Sequence, residues 1–184
     1  SIAAIQAGNA SFYTAATGIP ELKQAISDRI FAQDGIRYDH RQIVATTGAK
    51  FALYALFQVF LNPGDEVLIP VPSWVSYEEQ IKLASGVPHL VMPAVGHKVS
   101  VDDLEAARTD KTRALIINSP QNPSGAVYDR TELTLIGNWA LKHHILVVTD
   151  DIYRDLIYNG TTYTSMISID PDIAANTVLI SGVS

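Results

Sequence analysis

Four short runs constrain this chain more than anything else in it. Residues 66–70 (EVLIP), 112–118 (TRALIIN), 145–149 (ILVVT) and 176–180 (NTVLI) are apolar almost without interruption. A strand with one wet face alternates apolar and polar residues, whereas a strand apolar on both sides has to be covered on both. Helical patterns separate these runs. Pro20 suits the first turn of a helix that carries Leu22, Ala25, Ile26, Ile30 and Phe31 at helical spacing and ends at Gly35. Residues 51–61 are apolar on nearly every face, as in a buried helix. Ser73 is placed to cap a helix reaching about Ala84, and residues 101–107 and 130–141 read as two more helices. Two further strands are expected at 43–47 and at 87–92, the second weakened by Pro88. The pattern predicts an α/β fold: a mostly parallel sheet with helices on both faces.

Composition narrows the function. With 184 residues, 47% of them hydrophobic and 17% charged, the chain has enough apolar surface for a sizeable core. Its net charge of −6 and the lack of any Lys/Arg run argue against a nucleic-acid partner. No apolar run approaches the roughly 20 residues of a membrane span. Without cysteine there is no disulfide framework, thiol nucleophile or Cys-ligated zinc. The chain opens on Ser1 and helix-like Ile2-Ala3-Ala4-Ile5 and stops as a strand finishes, so it reads as an internal piece of a longer protein. Residues 1–40 are expected to form an N-terminal segment or arm, and 41–184 the body of the domain.

In open α/β sheets ligands bind beyond the carboxyl ends of the strands. Each segment that follows a predicted strand therefore carries more than one reading. Gly48-Ala49-Lys50 is a tight turn into a helix, or a set of free N–H groups that hold a phosphate. The GxxxxGK[ST] spacing of a P-loop is absent. Trp74 is a packing anchor, or a flat face for an aromatic ligand. Asn122, between Gln121 and Pro123, sits in a plain turn, or on a rigid loop that aims its amide at a ligand. Asp150 is a helix cap, half of a magnesium site with Asp151, or a buried carboxylate that pairs with a cationic ring nitrogen. Tyr153 shares a side with Asp150 if that segment turns helical. The five histidines lack metal-site spacing, and neither GxSxG nor GxGxxG occurs.

Taken together these segments resemble the class I/II aminotransferases, the fold-type-I family that uses pyridoxal phosphate. The carrying residues are Tyr13 with Gly18-Ile19-Pro20-Glu21-Leu22-Lys23, then Gly48-Ala49-Lys50, Asn62-Pro63-Gly64-Asp65-Glu66-Val67 and Pro72-Ser73-Trp74-Val75-Ser76-Tyr77. Asn118-Ser119-Pro120-Gln121-Asn122-Pro123-Ser124-Gly125, Asp150-Asp151-Ile152-Tyr153 and Ser181-Gly182-Val183-Ser184 follow. The wording is most similar to bacterial aspartate aminotransferases.

The resemblance implies that residues 41–184 are the cofactor-binding major domain of such an enzyme, without its C-terminal part. It implies that Ala49 and Lys50 hold the cofactor phosphate through their backbone, with Gly48 permitting the turn. Trp74 would stack on the pyridine ring, and Asn122 and Tyr153 would bond its 3-hydroxyl oxygen. Asp150, not Asp151, would pair with the ring nitrogen. Trp74 and Asn122 would also lie against the substrate. Ser181 occupies a cofactor-site position, and Tyr13 would reach the phosphate of a neighbouring subunit in a homodimer. The implied activity is amino-group transfer between an amino acid, aspartate first, and a 2-oxo acid. A cytoplasmic location, with neither metal, membrane nor nucleic acid involved, goes with that reading.

Carbon–sulfur lyases and aminotransferase-like domains of transcription regulators share the same residues and stay open as alternatives. The family's Schiff-base lysine would come immediately after Ser184, outside the chain, as would two arginines that bind phosphate and substrate carboxylate. None of Lys23, Lys50, Lys82, Lys98, Lys111 and Lys142 takes the lysine's place, so the chain as it stands is not expected to transaminate. A break at that point is expected if the lysine carries the cofactor as a modified residue.

Overall fold

The structure is a computed structural model that describes residues 2–8 and 12–182. Val183, Ser184 and the lysine position expected after them lie outside the described residues. Internal contacts divide the chain into two compact units, residues 1–46 and 47–184.

The first unit holds helices α1 (Ile2–Gln6) and α2 (Pro20–Asp34). Pro20 starts α2, where its missing N–H costs nothing, and Gly35 ends it in the left-handed conformation at φ 76°. Ser27 ties α2 to the following segment by donating its hydroxyl to the Tyr38 carbonyl at 2.7 Å. The strand expected at 43–47 does not form. Ala45 N–H donates to the Thr17 carbonyl at 2.9 Å and Ile43 N–H to the His40 carbonyl at 3.4 Å, but these bonds do not build a strand ladder. Gly48-Ala49-Lys50 therefore does not follow a strand.

The second unit is a five-stranded parallel sheet in the order β2-β1-β3-β4-β5. Its strands are β1 (Glu66–Pro70), β2 (Val87–Val91), β3 (Thr112–Asn118), β4 (Leu146–Asp150) and β5 (Thr177–Ile180). Pro88 is tolerated because β2 is an edge strand. Side chains alternate across a strand, so each central strand feeds two cores. Val67, Ile69, Ala114, Ile116 and Val148 pack with Leu53 and Phe57 of α3 (Ala49–Phe60) and Tyr77 and Ile81 of α4 (Ser76–Leu83). Leu68, Leu115, Ile117 and Val147 pack on the opposite face. They meet Leu104 of α5 (Val101–Ala107), Ile136 and Trp139 of α6 (Arg130–Lys142), and Ile173 of α7 (Pro171–Ala175). The predicted parallel sheet with helices on both faces is the one found.

Local signals explain most boundaries. Ser100 and Asp129 each head a reciprocal capping box at the start of α5 and α6. Ser73 does not cap α4, which begins three residues later behind Val75 with no side-chain cap. The segment between β1 and α4 stays irregular, and this places Trp74 beyond the carboxyl end of β1. Among the described residues no helix is long and apolar enough to cross a membrane.

Phe57 has no exposed surface and fills the core between α3, α4 and the sheet. Phe57→Ala is expected to lower the unfolding free energy by about 3–5 kcal/mol, seen as a lower denaturant midpoint at unchanged slope.

Candidate active site

The register of β3 and β4 sets the site. Ile116 pairs with Val148 and Asn118 with Asp150, so the last residues of the two strands stand side by side at the carboxyl edge. Asp150 continues the alternation of Val148 and faces the α3–α4 side, where Tyr77 waits on α4. The Tyr77 hydroxyl donates to Asp150 Oδ2 at 2.6 Å, and the Ile152 N–H donates to Oδ1 at 3.2 Å. Asp150 is almost wholly buried, and among the described residues no cation forms an ion pair with it. Burial pushes its carboxyl above the usual carboxylate range, against the two hydrogen bonds that favour the ionised form. Burial and the nearby Asp150 carboxylate push the Tyr77 phenol far up, so Tyr77 remains a protonated donor.

Asp151 has a different fate. It points away from Asp150 and accepts from Thr149 Oγ1 at 2.5 Å, from Ser165 Oγ at 2.8 Å, and from the Tyr163 hydroxyl. Burial raises it to about 6 in spite of these three hydroxyls. The two adjacent carboxylates thus serve separate partner sets rather than one ion. Among the described residues no group of three or more His, Cys, Asp or Glu side chains comes together as a metal cluster.

The other predicted residues fall as follows. Gly48 precedes α3 at φ 93°, a backbone conformation that a side chain would strain. Ala49 and Lys50 form the first turn of the twelve-residue α3, whose leading N–H groups have no intrahelical acceptor. Lys50 Nζ lies 5.0 Å from the centre of the Trp74 ring, and the edge of Tyr77 meets Trp74 at a ring separation of 5.4 Å. Asn122 donates through Nδ2 to the Tyr153 hydroxyl at a long 3.5 Å. Tyr153 sits in a turn, not on a helix as the spacing argument required.

The structure therefore brings Lys50, Trp74 and Tyr77 together, and with them Asp150 through Tyr77. Asn122 and Tyr153 form a second pair, joined to the end of β4 through Asn118. Ser181 is exposed just past β5, and Tyr13 is exposed within the first unit. The histidines join no metal-type cluster among the described residues: His143 packs on Trp139 and His144 is exposed. Tyr77 is the functional contact that sequence reasoning missed. Its signal was present, since it lies one helical turn past Trp74 on a predicted helix.

The chain is a parallel α/β domain with a buried carboxylate, an amide, phenols and an indole at the carboxyl edge of its sheet, the edge at which open α/β sheets bind ligands. The family model for aminotransferase classes I and II matches residues 2–184, and the chain belongs to that family. It is 50% identical over 182 residues to the asparagine–oxo-acid transaminase of Streptococcus mutans, a match covering 98% of this chain and 46% of the relative. To the aspartate aminotransferase of Geobacillus stearothermophilus it is 44% identical over 186 residues, 99% of this chain and 47% of the relative. Among solved structures, the aspartate aminotransferase from Rhizobium meliloti superposes with a TM-score of 0.93 at 35% identity, over 98% of this chain and 46% of that one. The fold is that of fold-type-I pyridoxal-phosphate enzymes. The chain spans about half the length of the curated relatives it matches.

The buried Asp151 makes a testable difference. Its neutral form is favoured in the folded state, so its stabilising share is complete below about pH 4 and is lost as pH rises to about 6. Asp151→Asn removes that titration. The wild type should lose roughly 3 kcal/mol of unfolding free energy relative to the variant over this interval, measured by urea unfolding at several pH values.

Proposed function

We propose that this chain is the cofactor-binding part of an aminotransferase that uses pyridoxal 5′-phosphate to move an amino group between an amino acid and a 2-oxo acid. Asp150 carries the reading. A carboxylate buried without a cation is costly, and a protonated ring nitrogen is the charge it lacks. The rest of the donor set matches the other parts of the same molecule. The first-turn N–H groups of α3 suit a phosphate, helped by the helix dipole. Trp74 suits a flat ring, and the Asn122–Tyr153 pair suits a phenolic oxygen.

We assign Gly48, Ala49 and Lys50 to the phosphate, Trp74 to the ring face, Asn122 and Tyr153 to the 3-hydroxyl oxygen, and Asp150 to the ring nitrogen. Ser181 joins the cofactor set at the end of β5. The cofactor, when bound, supplies the electron sink for the substrate Cα. Asp150 holds the proton on the ring nitrogen. Tyr77 favours the ionised form of Asp150 and fixes its direction by donating to Oδ2. Trp74 would cover the ring and keep water from it, while Asn122 would orient the substrate. The resemblance places the Schiff-base lysine and the two arginines outside residues 1–184.

In the same reading residues 41–184 form the major domain and residues 1–40 the arm that leads into it. The protein is a cytoplasmic homodimer in which Tyr13 reaches the phosphate of the neighbouring subunit. That part rests on the place of Tyr13 in the motif and on the family resemblance. Aspartate with 2-oxoglutarate is the proposed substrate pair, supported by relatives named aspartate aminotransferase. Asparagine is a second donor worth measuring, because a 50% identical relative is named for it.

The holoenzyme should convert 2-oxoglutarate to glutamate with aspartate as donor, followed by chromatography of both products. Pyruvate and ammonia without glutamate would overturn the transfer reading in favour of a lyase. Asp150→Asn should cut turnover by about 100-fold or more while the protein still folds.

A further inference from the structure

Two buried side chains, one at the end of β3 and one in the loop after it, have no role in the site as assigned. Asn118 closes β3, its Nδ2 donating to the Asp150 carbonyl at 2.7 Å and its Oδ1 accepting from the Asn122 N–H at 2.8 Å. Gln121 donates through Nε2 to the Pro72 carbonyl at 2.7 Å, and its Oε1 accepts from Ser124 Oγ at 2.5 Å. Each amide spends a donor and an acceptor in one planar group, which a carboxylate of the same shape cannot do. Both donors end on backbone carbonyls, so the bonds locate main chain rather than a rotamer. The Asn122 loop is thereby hung between the end of β4, which carries Asp150, and the segment after β1, which carries Trp74.

We propose that Asn118 and Gln121 are positioning residues for the cofactor. Asn118 sets Asn122 against Asp150, and Gln121 sets Asn122 against Trp74. The inference rests on the pyridoxal-phosphate reading of this site. The two amides therefore act on different parts of the ring: Asn118 on the edges bearing the nitrogen and the phenolic oxygen, Gln121 on the stacked face.

Asn118→Asp and Gln121→Glu each delete one donor without changing shape, which makes them the variants of choice in the full-length protein. Three readouts are taken: pyridoxal phosphate affinity of the apoenzyme by equilibrium dialysis, the pH midpoint of the cofactor absorption band, and the circular dichroism of that band. N118D should weaken cofactor binding about tenfold and move the pH midpoint. Q121E should weaken binding by a similar factor, lower the dichroism that reports stacking, and leave the midpoint in place. Asn118→Ala removes both bonds without adding charge and carries the N118D expectation, so a poorly folding N118D leaves the test standing. Binding within twofold of wild type with both optical signals unmoved overturns the inference. So does an identical change in all readouts for both variants, tracking only a lower melting temperature of the apoenzyme. A wild type that binds no pyridoxal phosphate overturns the site reading itself, and this inference with it.

Discussion

The pairing of β3 with β4 is the constraint from which the rest of the site follows. Its register places Asn118 beside Asp150 at the carboxyl edge. Below that edge both strands are buried on both faces by two separate cores. Close packing there allows little movement, since a shift of one residue would turn every side chain to the wrong face. The polar groups at the strand ends inherit this rigidity. Asp150 is aimed toward Tyr77 because Val148, two residues earlier, is aimed into the α3–α4 core.

Electrostatics then separates two carboxylates that are neighbours in sequence. Asp151 is surrounded by hydroxyls from Thr149, Tyr163 and Ser165, all neutral donors, and burial still raises it to about 6. Asp150 has one phenol and one backbone N–H, with no cation among the described residues. The first is a closed arrangement that joins β4 to the chain after it. The second leaves a negative group short of its partner at a place where ligands of this fold class bind. Tyr77 sharpens the contrast: its own phenol is pushed up by the burial it shares with Asp150, so it keeps its proton and donates it to the carboxylate. Two positions one residue apart thus acquire different chemistry from the face of the sheet on which each falls.

Much of the architecture was legible in the chain. Unbroken apolar runs marked β1, β3, β4 and β5 as strands covered on both sides, and Pro88 marked β2 as the weak one, as befits an edge. Two local signals misled. Residues 43–47 have strand-like composition but no neighbouring strand to pair with, and a strand is defined by its partner. Ser73 is a good cap in type, yet α4 starts only at Ser76. Trp74, Asn122, Asp150, Tyr153 and Ser181 stood out by their place after predicted strands, whereas Gln121 was visible only as a member of a motif.

What the sequence determined by itself is what depends on near neighbours: strand and helix periodicity, the two-sided burial of the central strands, and which polar residues follow each strand. Alternation and apolarity are read over a few residues, so they survive without knowledge of the fold. The tertiary structure alone decided which of those polar residues meet. Tyr77 reaches Asp150 across 73 residues of chain, Gln121 reaches Pro72 across 49, and Asn118 reaches the Asp150 carbonyl across 32. Such contacts are set by strand order, register and the angle at which α4 crosses the sheet, and no local pattern encodes them.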